Sequence, residues 1–397
     1  MSFRDQTKMD KRQEFVLRAN APGANRRELC RSFGITPRTG YKWLDRYAER
    51  GVAGLEELAR GPARGRSPLR CSAEVAMEVV SIRKSQPTWG PKKIRRVLQR
   101  SWAPDEVPSS RTVCRILERA GLAAPRRRKL RAGLGPAHVP DVQVEGPNDL
   151  WTVDFKGWWR TKDGKRCEPL TVRDAHSKFI LCIEIVVEPS IEVVRAIFKR
   201  LFRDYGMPRA IQSDNGTPFA STTSLGGFTK LSAWWTALGI EFVRSRVACP
   251  QDNGGHERMH RDMAEEIERH PAWNREQQQK HCDRWREDFN HYRPHEALGL
   301  ETPGSVYRRS PRVYPQAPLE LVYPETMETR RVTRCGTVRY AGFQRSLSQA
   351  LAGYDVGFEF LGDHRFQVWF AGICIGTGML PWHAPLRPFE APSEEAA

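Results

Sequence analysis

Paired cysteines are missing from this sequence. Its nine cysteines are scattered singly, with no Cys-x-x-Cys and no Cys/His cluster. That pattern indicates neither a zinc site nor a disulfide framework. An odd set of dispersed thiols fits a reducing compartment, so a cytoplasmic, nucleoid-associated location is expected. Long apolar runs are missing too. Nothing approaches the roughly 18–20 residues that a membrane-spanning helix needs. The opening MSFRDQTKMD lacks the apolar stretch of a secretory signal, and no membrane partner is expected. The third scarcity is regional: negative charge in the N-terminal third. Residues 1–145 hold 31 Lys and Arg against 15 Asp and Glu, a surplus of 16, whereas the remainder holds 33 against 32. The formal net charge of +17 therefore sits almost wholly at one end. A field of that sign and size points to a polyanion such as DNA.

What is present is enough for several packed cores. At 397 residues, 39% hydrophobic and 28% charged, the chain suits two to four domains and not wholesale disorder. Residues 1–60 read as three helices: one around Phe15, Val16 and Ala19, one over Arg26–Phe33, and a third begun by Thr36-Pro37 after a turn at Gly34. The third helix carries Arg38, Thr39, Tyr41, Lys42 and Arg46. Helix, glycine turn and basic helix form a helix-turn-helix pattern. A plain three-helix bundle with a solvated basic face would look the same, and the charge surplus favours DNA binding.

A basic linker at 61–71 holds Arg64 and Arg66. A second helix-turn-helix module is expected over 72–124, with Lys92 and Lys93 on one helix and Arg111 on the next, which Ser109/Ser110 caps and Gly121 ends. Arg126, Arg127 and Arg128 open a second linker, 125–147.

From 148 the texture becomes strand, strand, strand, helix, strand, helix, the element order of an RNase H-like α/β domain, expected to end near 312. Residues 318–385 are β-rich with glycine turns and suggest a small all-β barrel. The closing APSEEAA reads as a disordered tail. Three carboxylates stand where elements peak or end. Asp154 lies on the polar side of an alternating strand, Asp214 opens an Asp-Asn-Gly turn, and Glu257 falls in the first turn of a helix. Each alone has an ordinary reading, as a turn, salt-bridge or helix-dipole group. Together they make a hard oxygen set suited to Mg²⁺ or Mn²⁺. Two carboxylates 4 Å apart repel by about 4 kcal/mol at an effective dielectric of 20, and two divalent ions per site would offset that repulsion.

The stretches Leu150-Trp151-Thr152-Val153-Asp154-Phe155, Gln212-Ser213-Asp214-Asn215-Gly216-Thr217-Pro218-Phe219 and Pro250-Gln251-Asp252-Asn253-Gly254-Gly255-His256-Glu257-Arg258 resemble the catalytic blocks of DDE insertion-sequence transposases with a retroviral-integrase-like core. Phe289-Asn290-His291-Tyr292-Arg293-Pro294-His295 resembles the segment that follows the third carboxylate in that family. The resemblance implies an RNase H-like core with Asp154, Asp214 and Glu257 as metal ligands. It implies metal-dependent hydrolysis at the inverted repeats of transposon ends, then strand transfer into target DNA. The expected partners are double-stranded DNA and further copies of the chain, at least a dimer on DNA.

Two departures stand out. The 42-residue gap between Asp214 and Glu257 is longer than usual, with Thr222–Gly227 as the apparent insertion, and helix-turn-helix units replace a zinc module. Asp252, Asp262, Glu265 and Glu266 lie close to Glu257, and Asp252 is the first replacement for it. Arg261, one helical turn after Glu257, would hold a phosphate or pair with Glu257 or Glu265. Trp158 and Trp159 are expected to pack within the strand, and His256 and His260 to flank the site as outer polar groups. A different class of function, an inactive sequence-specific DNA-binding regulator, would share the modules but not use the carboxylates. A plain nuclease would cleave without joining.

Overall fold

A computed structural model describes residues 7–56, 71–123, 142–221, 224–245, 254–317 and 320–387. Arg64, Arg66, Arg126, Arg127, Arg128, Asp252 and the closing tail lie outside these residues. The chain divides into two units, 1–70 and 71–397. Among the described residues no helix is long and apolar enough to cross a membrane.

The first unit is a three-helix bundle: α1 (Lys8–Ala19), α2 (Arg26–Ser32) and α3 (Pro37–Arg50). Each start has the side-chain cap its sequence announces. Thr7 and Asp10 form a capping box, Asn25 caps α2, and Thr36 caps α3 with Pro37 at its first position. Phe15, Val16, Ala19, Cys30, Leu44 and Leu55 form the core. Gly34 takes the left-handed backbone (φ +65°) that the turn before α3 demands. Gly40 lets α3 approach closely, because a Cβ there would lie 2.5 Å from Cys30 Sγ and 2.8 Å from the Phe15 ring.

The second unit opens with α4 (Ala73–Ser85), α5 (Pro91–Leu98) and α6 (Ser110–Arg119) around Val75, Val79, Trp89, Ile94, Leu98, Val113 and Leu117. A mixed sheet follows. Its strands are β1 (Leu150–Phe155), β2 (Trp159–Arg160), β3 (Arg166–Asp174), β4 (Ile180–Val186), β5 (Ala210–Ser213) and β6 (Glu241–Arg244). β3 runs antiparallel to β1, β2 and β4, while β1, β5 and β6 are parallel. Strand alternation sorts β1 by face. Trp151 and Val153 enter a core with α7 (Ile191–Tyr205) and α8 (Lys230–Ala237). The opposite face meets α9 (Gly254–Met263), which continues into a π-helical turn (Ala264–Glu268), and α10 (Arg275–Glu287). A second π-helical turn (Asp288–Tyr292) and the short α11 (Pro303–Val306) complete this domain.

The C-terminal part is all-β. β7 (Glu328–Arg331), β10 (Asp355–Gly362), β11 (Arg365–Phe370) and β12 (Ile373–Met379) form one antiparallel sheet, and β8 (Thr337–Tyr340) and β9 (Phe343–Ser346) a hairpin. Among the described residues the expected barrel is thus two separate ladders around one aromatic core of Tyr340, Phe358, Phe366 and Trp382. That core also takes in Phe228, Ala233 and Ala237, with Leu225 packed against it. The described part of the insertion before Glu257 therefore joins the β domain to α8.

Candidate active site and nucleic-acid interface

The polar face of β1 is built by register. Thr152 and Asp154 alternate with the buried Trp151 and Val153, and Asp154 lies opposite Thr171 of β3. Two histidines of α9, one turn apart, land on these groups. Thr152 Oγ1 is 2.8 Å from His256 Nδ1, and Thr171 Oγ1 is 2.8 Å from His260 Nε2. Thr171 donates its single hydroxyl proton to the Asp154 carbonyl at 2.9 Å. His260 Nε2–H must then be the donor to Thr171, which leaves Nδ1 without a proton 3.9 Å from Asp154 Oδ2. Burial, with Lys156 and Arg173 nearby, pushes His260 down to about 3. Burial, with His260 and Arg173, holds His256 well below the ordinary imidazole range. Both rings are neutral at pH 7, so neither brings a competing cation to Asp154.

Asp214 follows β5. The parallel register pairs Leu150 with Ala210, Trp151 with Ile211 and Thr152 with Gln212. Beyond this pairing, Asp154 is the fifth residue of β1 and Asp214 directly follows the end of β5, its parallel neighbour. The Asp214 turn is tied down locally. Gly216 N–H donates to Asp214 Oδ1 at 3.2 Å, and Asn215 Nδ2 donates to the Ser245 carbonyl at 2.7 Å. A Cβ at Gly216 would sit 3.0 Å from Asp214 Oδ2, so glycine keeps the carboxylate uncrowded. Glu257 is exposed in the first turn of α9, beside the face that His256 seats.

Among the described residues no three His, Cys, Asp or Glu side chains are gathered closely enough to hold a metal ion. Asp154 on β1, Asp214 just after β5 and Glu257 in the first turn of α9 are thus not drawn into one set. The run into α9, 246–253, is outside the described residues.

The DNA-contact candidates fare differently. On α3, Arg38, Tyr41 and Lys42 are exposed. The Thr39 hydroxyl is spent on Thr36 (2.9 Å), and Arg46 lies over the Trp43 ring. On α6, Arg111 is exposed, as are Arg115 and Arg119 at the following four-residue steps. That stripe was legible from spacing and went unread. Lys92 pairs with Glu296 at 2.9 Å, so this structure turns it toward the α/β domain. Lys93 is half-buried, and desolvation with the nearby Arg293 pushes it down to about 8. Arg261 is exposed on α9, and Glu265 pairs with Arg269 instead. Trp159 packs in the interior as expected. Trp158 does not: it is 53% exposed, with the Arg160 and Arg166 guanidiniums 5.6 and 5.1 Å from its ring. β2 is only two residues long, so its first flanking side chain swings clear of the ladder.

Two families described as "Homeodomain-like domain" match residues 6–56 and 39–117. Two described as "Integrase core domain" match residues 144–250 and 238–303, which together span all three carboxylates. Residues 144–303 are thus matched by integrase-core models. The chain is similar to a 31.7 kDa protein of insertion element IS407 from Burkholderia multivorans. The two are 27% identical over 233 residues, 58% of this chain and 79% of that protein. A 39.2 kDa protein of insertion element IS476 from Xanthomonas euvesicatoria is 25% identical over 291 residues, 71% of this chain and 76% of that protein. Among solved structures, the HTLV-2 integrase catalytic core domain in complex with magnesium is 14% identical. It covers 42% of this chain and 100% of its own, with a TM-score of 0.31.

Proposed function

We propose that this chain is a DNA transposase. On this reading it binds the inverted repeats at the ends of an insertion element, hydrolyses a phosphodiester there, and joins the freed 3′ end to target DNA. What supports the reading is that Asp154 lies near the end of β1 and Asp214 directly follows β5, its parallel neighbour, while His256 and His260 hold the Glu257 helix against β1 and β3. An all-oxygen donor set of this kind suits Mg²⁺ or Mn²⁺ and no softer ion. Asp154, Asp214 and Glu257 would hold two such cations, which supply Lewis-acid polarisation and charge neutralisation at the phosphodiester.

The remaining work belongs to the chain itself. The neutral histidines orient α9 without adding charge, the glycine at 216 keeps Asp214 open, and the exposed cations of α3 and α6 hold the duplex by its phosphates. Asp154→Asn, Asp214→Asn and Glu257→Gln should each abolish cleavage of end-containing DNA in Mg²⁺ while leaving end binding nearly unchanged. This is measured by gel-resolved nicking alongside a binding isotherm. A single variant that still cleaves at the normal rate removes that residue from the site, and Asp252 is the first replacement for Glu257. End binding without metal-dependent cleavage by the unmodified chain would identify a regulator instead.

A further inference from the structure

The segment Phe289–His295, set apart in the sequence for its resemblance and followed by a turn to Glu301, has no part in the chemistry above. Its centre is Arg293, 2% exposed and therefore in need of full compensation. Nη1 donates to Asp262 Oδ2 at 2.7 Å, and Nη2 to both oxygens of Glu266 at 2.5 Å. Trp285 Nε1 donates to Glu266 Oε2 at 2.5 Å, and the guanidinium lies 5.3 Å from the Phe289 ring and 5.5 Å from Trp285. Asp262 is in the last turn of α9, and Glu266 is in the π-helical turn that continues it. The buried node thus grips the helix that bears Glu257.

The same node reaches the second helical module. The Thr88 hydroxyl donates to Glu266 Oε1, and Trp89 lies 5.9 Å from the Arg293 guanidinium and 5.5 Å from the Tyr292 ring. Beside them α5 and the turn that follows it set three cations on the segment. Lys92 meets Glu296 at 2.9 Å, Arg96 meets Glu301 at 2.5 Å, and Arg100 donates to the Tyr292 carbonyl at 3.0 Å. A basic helix that composition alone assigns to DNA is here seated on carboxylates of its own chain.

We infer that Arg293 is a positioning residue: it clamps α9 to the seat of the second helical module, so that docking of α5 on Glu296 and Glu301 sets the placement of Glu257. The inference rests on the proposed role of Glu257 but has a readout that needs no catalysis. Arg guanidinium alone can bridge two carboxylates with this fork, and a lysine keeps the charge while losing the fork.

The test uses the full-length protein in three forms: Arg293→Lys, Arg96→Glu, and Arg96→Glu combined with Glu301→Arg. Amide hydrogen exchange over Gly254–Glu268 is followed without DNA. Arg293→Lys should speed exchange there about ten-fold or more, as a broken buried pair does. Arg96→Glu, which breaks the Arg96–Glu301 pair, should speed it about two- to five-fold, and the charge-swapped pair should restore it. In Mg²⁺-dependent cleavage at saturating end DNA, Arg293→Lys should lose about ten- to a hundred-fold in rate, as outer-shell losses do, with end affinity unchanged. Normal exchange over α9 in both single variants overturns the inference whatever the activity. Loss of cleavage in Asp154→Asn with normal exchange and cleavage in Arg293→Lys overturns it while leaving the transposase reading standing.

Discussion

At the scale of single residues, burial decides what a charged group can do. Lys93 stands in a run that composition reads as a phosphate-binding face, yet desolvation and the neighbouring Arg293 lower it from 10.5 to about 8. A lysine whose folded value lies below its unfolded one opposes folding while it is charged. The cost is full below about pH 8 and disappears as pH rises toward 10.5, because there the unfolded state holds the extra proton. Lys93→Met should therefore stabilise the protein at pH 7 by about 1–2 kcal/mol, less than the full linkage value because solvent screens part of the side chain. The gain should vanish near pH 10.5. Denaturant unfolding at the two pH values checks this, and a variant no more stable than the parent at pH 7 contradicts it. His256 and His260 make the related point that a histidine beside a carboxylate need not be a proton carrier. Their neutrality follows from burial and surrounding cations, and their hydrogen bonds to Thr152 and Thr171 are a helix-seating device.

At the scale of elements, the two basic helical modules are not equivalent. In the first, α3 exposes Arg38, Tyr41 and Lys42 along one side. In the second, α5 is docked through Lys92 and Arg96, with Arg100 just beyond its end adding a third contact. That leaves α6, with Arg111, Arg115 and Arg119, to meet a duplex. The unit comprising residues 1–70 should then bind DNA on its own with a log–log salt slope of about −0.9 per phosphate contacted. Arg38→Ala and Lys42→Ala should each weaken binding and lower that slope by about one contact. Arg111→Ala with Arg115→Ala in the full chain should do likewise, whereas Lys92→Ala should leave the slope unchanged. Filter binding across a salt series reads these slopes, and a Lys92→Ala slope as shallow as that of the α6 variant would show that α5 undocks to bind DNA.

At the scale of the whole molecule, the proposed transposase reading assigns one catalytic set to one strand, so on that reading joining both ends of an element to a target needs at least two chains. Two-fold closure is the commonest arrangement for identical subunits and would match a pair of inverted repeats. The basic surplus of residues 1–145 repels another copy until DNA neutralises it. Light scattering should therefore show assembly that depends on end-containing DNA. A cleavage- and joining-competent complex holding a single chain would rule this out. The β domain has its own anchorage: Phe228, Ala233 and Ala237 join the core of Phe358, Phe366 and Phe370. Leu225, of the segment that lengthens the spacing between Asp214 and Glu257, packs against it, so that segment helps fasten the last domain to the α/β domain.

Much of this was open to reading from the chain alone, because it depends on short range. Thr36-Pro37, Ser109 and Gly121 mark helix ends by hydrogen bonds spanning a few residues. Alternation in Leu150–Phe155 sorts Trp151 and Val153 from Asp154, and Asp214-Asn215-Gly216 announces a turn. Charge counts place the basic surplus in residues 1–145. What only the tertiary structure decided is which of these local features meet. Arg293 finds Asp262 and Glu266 at separations of 31 and 27 residues, and Thr88 finds Glu266 across 178. No periodicity encodes such pairings. They arise when helices from distant parts of the chain bury their apolar faces together, and a charge caught at that junction must then be compensated by whatever carboxylate the packing brings within reach.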